Sequence, residues 1–121
     1  MRARREYADY LRDILDAAGK AQRFVEGIDF RAFKGNDEKV FAVVRALEII
    51  GEAARQVPAS LRTRYPDLAW RDITGMRDKL IHAYFGVDVD VVWRTVQDEL
   101  PLLQSAVQRM LQDLEQKPSG A

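Results

Sequence analysis

One pattern restricts the fold of this chain more than any other. Val89, Val92, Trp93, Val96, Leu100, Leu103, Val107, Met110, Leu111 and Leu114 recur at intervals of mostly three and four residues. An α-helix gathers such a series onto one face, whereas a strand scatters it over two. A face that apolar has to be covered, and two further segments carry matching ones. Tyr7, Tyr10, Leu11, Ile14, Ala18, Ala21, Val25 and Ile28 form the first; Val40, Val43, Val44, Leu47, Ile50, Gly51 and Ala54 form the second. Three one-sided helices that bury their stripes against each other predict an all-α fold, an up-and-down bundle of four to five helices.

Helix breakers divide the chain between the stripes. Gly27, Gly35 and Asn36 bracket Phe30 and Phe33, which read as a short helical turn, with Asn36 as cap of the next helix. Pro58 either ends that helix or begins a short one running to about Arg64. The run Tyr65-Pro66-Asp67-Leu68-Ala69-Trp70 reads as a connector, because a residue before proline is biased away from helix. A helix from about Arg71 to Phe85 is expected to stop near Gly86, and Asp88 or Asp90 to cap the last one. Pro101 lies off its helix's stripe, which predicts a kink toward solvent rather than a break. Residues 1–116 read as one domain and 117–121 as a disordered tail.

The 121 residues suffice for one core without metal or disulfide support. The chain has no cysteine, which excludes a disulfide framework, thiol catalysis and Cys-ligated zinc, and suits a reducing cytosol. No apolar run approaches the ~18 residues of a membrane span, and the charged N-terminus lacks a signal-peptide stretch. A cytoplasmic protein is expected. Nineteen basic and nineteen acidic side chains cancel, which weighs against a nucleic-acid binder. In the other direction, 14 of the basic residues are Arg, the side chain better suited to gripping phosphate.

The expected helix from Arg71 to Phe85 concentrates the chemistry. Ile73, Met76, Leu80 and Ala83 share an apolar face that Ile81 and Phe85 widen past half the circumference, with Arg77 and Tyr84 inside the arc. So wide an arc needs more than one neighbour, and a second copy of the chain is the simplest supplier. An Arg held there calls for a fixed anion: a carboxylate, with Glu52 the candidate, or a ligand phosphate. His82 is the sole histidine, so histidine acid–base chemistry at neutral pH must use it. Asp78, one turn earlier, can orient its imidazole. On an ideal helix Arg77 and His82 point about 140° apart. Either the helix distorts near Gly86 or two chains build one site around a two-fold axis, and the second arrangement is preferred because it also supplies two histidines.

The run Arg77-Asp78-Lys79-Leu80-Ile81-His82-Ala83-Tyr84 resembles the Arg-x4-His-x-Tyr motif of the HepT-like HEPN family. Leu47-Glu48-Ile49-Ile50-Gly51-Glu52-Ala53, Tyr65-Pro66, Trp70, Gly75-Met76, Trp93 and Leu100-Pro101 agree with it in order, so the resemblance spans roughly Tyr7 to Leu114. It implies a homodimeric helical bundle and a metal-independent endoribonuclease toxin that needs no cofactor, with RNA cut at the dimer cleft. Arg77 is then the phosphate contact and His82 the proton-transfer group, with Asp78 and Glu52 supporting them. The implied partner is a minimal nucleotidyltransferase antitoxin, in some cases within a higher assembly, which silences the toxin by binding and by transferring AMP to Tyr84.

Plainer roles compete for the same residues. His82 can be a helix-end side chain satisfied by Asp78, Arg77 a structural ion pair with Glu52, and Tyr84 a core aromatic with its hydroxyl at the surface. Gly51 reads as a close helix–helix contact. Phe24, Phe30, Phe33 and Phe41 read as core or interface, and the two Trp as packing residues. The competing function is a non-catalytic helical subunit that docks a nucleotidyltransferase, which the neutral charge fits well.

Overall fold

A computed structural model of the chain describes residues 2–82 and 86–116. Its elements run α1 (Arg2–Phe24), α2 (Phe30–Lys34), α3 (Asp37–Arg55), α4 (Ala59–Arg62), α5 (Trp70–Thr74), α6 (Met76–Leu80), β1 (Ile81–His82), β2 (Gly86–Val87), α7 (Val89–Arg94), a π-helical turn (Thr95–Glu99) and α8 (Leu100–Gln116). The three apolar stripes become three long rods. α1 buries Leu11, Ile14, Ala18 and Ala21, α3 buries Val43, Leu47, Ile50 and Ala54, and α8 buries Leu100, Leu103, Val107 and Met110. α1 lies against both α3 and α8. Each of the larger side chains, fully removed from water, stabilises the fold by about 1.5–3 kcal/mol before the entropy of ordering it.

Local chemistry sets the ends of these rods. The Asn36 side chain accepts a hydrogen bond from Lys39 N at 3.1 Å and starts α3, as the sequence suggests. Asp29 does the same for α2 through Ala32 N at 2.8 Å. Of the two candidate caps for the last helix, Asp88 is the one used, accepting from Val91 N at 3.2 Å. Pro58 begins α4 rather than ending α3. Beside the exposed Pro101, where a kink is expected, the helix contains the π turn. Proline cannot donate to the carbonyl four residues back and its ring crowds that carbonyl, and a π turn relieves the crowding by widening the ladder. Thr95 is buried there, its Oγ1 2.7 Å from Val91 O.

Aromatic rings fasten the short helix α2. Phe33 is fully buried with its ring centroid 5.3 Å from that of Trp93, and Phe30 meets Trp93 edge-on at 5.9 Å. Of the two roles expected for Phe41, core or interface, the core one does not hold. It is 68% exposed on the outer face of α3, because its position falls between the buried pairs Val40 and Val43, Val44.

The connector from Tyr65 to Trp70 is clasped to α8. The Tyr65 hydroxyl donates to Asp113, the Trp70 indole N–H donates to Tyr65 O at 3.0 Å, and Arg109 holds Asp67 at 2.7 Å. Burial, then the Asp113 carboxylate, pushes the Tyr65 hydroxyl up to about 12. The Arg109 hydrogen bond holds the Asp67 carboxyl below its ordinary value. No helix among the described residues is long and apolar enough to cross a membrane.

Candidate active site

The motif segment does not form the single helix expected over 71–85. α5 ends at Thr74, Gly75 turns the chain (φ −93°, ψ 20°), and α6 is over by Leu80. Ile81 and His82 then pair antiparallel with Val87 and Gly86 respectively. Gly86 sits at φ +71°, a conformation that glycine adopts without a Cβ clash. The physical reason for the break lies in the backbone. Asp88 N–H donates to Leu80 O at 2.8 Å, so the chain beyond Gly86 folds back onto the end of α6 and takes up a carbonyl left free by the helix terminus.

The break changes the geometry of the candidate site. Arg77 lies on α6, but His82 lies on β1, so the divergence of about 140° on an ideal helix does not apply. Asp78 and His82 are likewise no longer an i, i+4 helical pair. Asp78 is exposed on α6. Tyr84 lies outside the described residues.

Three residues of the expected apolar arc find their neighbours within the chain. Ile73, Met76 and Leu80 are buried, and α6 packs against both α3 and α7. Ile81, Ala83 and Phe85, which widen the arc and motivate the expectation of a second copy, have side chains outside the described residues.

α3 supplies the other wall. Gly51 lets the α5–α6 junction approach closely: a Cβ built there would lie 3.1 Å from Ile73 O and 3.2 Å from Met76 Cβ. The sequence reading of Gly51 as a close contact is thus met in detail. Arg55, one turn on, donates from Nε to Thr74 O at 2.9 Å. Sequence reasoning missed this residue, since an exposed Arg at the end of an amphipathic helix looks like any solvated charge. Glu52 is exposed and lies 3.5 Å from Arg45 NH1. With Glu48, Gly51, Arg55 and Thr74 it lines a cleft of about 70 Å³ beside the junction. Among the described residues no cluster of three or more His, Asp or Glu side chains is placed to hold a metal ion.

Comparison with known proteins finds relatives over most of the chain. The family described as ribonuclease HepT-like matches residues 14–110. A relative from Thermococcus cleftensis, named "Probable ribonuclease HepT", is 44% identical over 107 residues, covering 88% of this chain and 97% of that one. Two relatives from Methanocaldococcus jannaschii, each carrying the name "Putative RNase", are 39% and 38% identical, over 94% and 98% of this chain and 98% of each of theirs. No solved structure matches. The extent of these matches, running from α1 through the motif segment to α8, establishes that the chain belongs to the HepT-like ribonuclease family.

Proposed function

We propose that the protein is a metal-independent endoribonuclease toxin whose reaction is carried by Arg77 and His82. The observation that carries this reading is the ordered motif Arg77-x4-His82-x-Tyr84 in a chain of a ribonuclease family. In such a reaction the ribose 2′-oxygen bonds to the adjacent phosphorus and the bond from phosphorus to the 5′-oxygen breaks. The products are a 2′,3′-cyclic phosphate and a 5′-hydroxyl. His82 moves the proton, taking it from the attacking 2′-hydroxyl or giving it to the leaving oxygen. Arg77 stabilises the extra negative charge on the pentacovalent phosphorus. Asp78 and Glu52 are supporting carboxylates.

The cleft is built between two copies in this reading, so that each chain contributes a guanidinium and an imidazole. One histidine then acts as base while the other acts as acid. A minimal nucleotidyltransferase is the antitoxin partner, and Tyr84 is the acceptor of AMP. Intact mass after incubation with that partner and ATP checks this: an added AMP on wild type and none on Tyr84→Phe is expected.

A second reading has one observation in its favour. The net charge of zero suits a subunit that docks a nucleotidyltransferase and cuts nothing. Incubating purified protein with RNA separates the two. The nuclease reading expects cleavage by wild type that Arg77→Ala and His82→Ala abolish; no cleavage by wild type supports the docking subunit.

A further inference from the structure

We propose that Gly51 and Arg55 of α3 are positioning residues for the ribonuclease site, acting through the backbone that leads into Arg77. The inference rests on the nuclease reading above and adds to it two residues outside the motif. They stand one turn apart on the same rod, and each meets the chain at the step between α5 and α6. Gly51 admits Ile73 O and Met76 Cβ to within 3.1 and 3.2 Å of where a Cβ would be. Arg55 Nε donates to Thr74 O at 2.9 Å, satisfying a carbonyl at the end of α5.

The step needs such support. α5 and α6 have five residues each, too few to be stable alone, and Gly75 between them adds backbone freedom. Arg77 is the second residue of α6, so a rotation at Gly75 carries it directly. α3, by contrast, is nineteen residues long and locked into the core by Val43, Leu47, Ile50 and Ala54. A rigid rod thus holds a soft step at two adjacent carbonyls, Ile73 and Thr74. Small displacements of a catalytic group cost rate rather than substrate affinity, which is how the clamp reveals itself.

Steady-state cleavage of a short single-stranded RNA by Arg55→Ala, Arg55→Lys and Gly51→Ala tests the clamp. The expected result is a fall in kcat on the order of tenfold for Arg55→Ala with KM unchanged. Arg55→Lys, which keeps a cationic donor, recovers part of it. Gly51→Ala leaves the charge untouched and reproduces the loss of kcat. If Arg55→Ala instead raises KM and weakens the salt dependence while Gly51→Ala turns over like wild type, Arg55 grips RNA directly and the proposal falls. Amide hydrogen exchange supplies a readout free of catalysis. Faster exchange across 75–80 in both alanine variants, with α1 and α8 unchanged, supports the clamp. Unaltered exchange there overturns it even if wild type cuts no RNA, an outcome that by itself counts only against the nuclease reading.

Discussion

The three long helices and the segment from Trp70 to Val87 obey the same physical rules but reach opposite outcomes. In α1, α3 and α8 every apolar residue of a stripe has a partner stripe, and each helix runs for seventeen residues or more. In the motif segment the helices last five residues, and the chain changes direction at Gly75 and again at β1. Long paired stripes hold the first region, whereas the second is held by three buried side chains, Ile73, Met76 and Leu80, together with single contacts: the Asp88 to Leu80 hydrogen bond, the Arg55 to Thr74 hydrogen bond and the close approach at Gly51. The stable part of the molecule is a scaffold, and the candidate chemistry sits on the part that the scaffold has to hold.

Substitutions can separate the two regions, and the largest effect is expected in the motif. Arg77→Ala should slow RNA cleavage by about 10²–10³-fold, the usual cost of losing a charge-stabilising donor, with the urea midpoint of unfolding unchanged. Leu47→Ala should do the reverse. It empties a fully buried site on α3 and should lower stability by about 2–5 kcal/mol in urea unfolding, while the fraction still folded keeps its turnover number. Gly86→Ala should cost about 1–2 kcal/mol locally, because its φ of +71° is left-handed, and faster amide exchange at 81–82 than in α8 would locate the effect.

The smallest effects are expected where the connector clasps α8, and they depend on pH. Tyr65 is raised in the folded chain, so its contribution is present below pH 10 and is lost as pH climbs from 10 through about 12. Melting temperatures of Tyr65→Phe should lack that alkaline decline. Asp67 is lowered, so its contribution is present above its ordinary value of 3.8 and disappears as pH falls through the folded one. Arg109→Ala should flatten the acid limb of the same curve.

Periodicity made the scaffold legible. The stripe from Val89 to Leu114, the cap at Asn36 and the close contact at Gly51 could all be read because each rests on local spacing or on one residue's size. The same reasoning overextended the motif helix to Phe85. Ile81 and Ala83 fit a helical face, and nothing in their spacing reveals that Asp88 N–H will claim the Leu80 carbonyl. The π turn escaped for a related reason: Pro101 announces a disturbance but not how the helix absorbs it. Arg55 and the Tyr65–Asp113 clasp pair residues distant in the chain, and an exposed charge carries no mark of its partner. For the candidate site, the motif residues could be named from sequence, but the break that puts Arg77 on a helix and His82 on a strand entered only as the less favoured alternative, a distortion near Gly86.

The most direct trial is a single-turnover assay of RNA with excess protein in the presence of a metal chelator. Wild type should yield fragments ending in a 2′,3′-cyclic phosphate, and His82→Ala, equally folded by circular dichroism, should yield none above background. Equal cutting by both proteins, or cutting by wild type only after metal is restored, would contradict the proposed reaction.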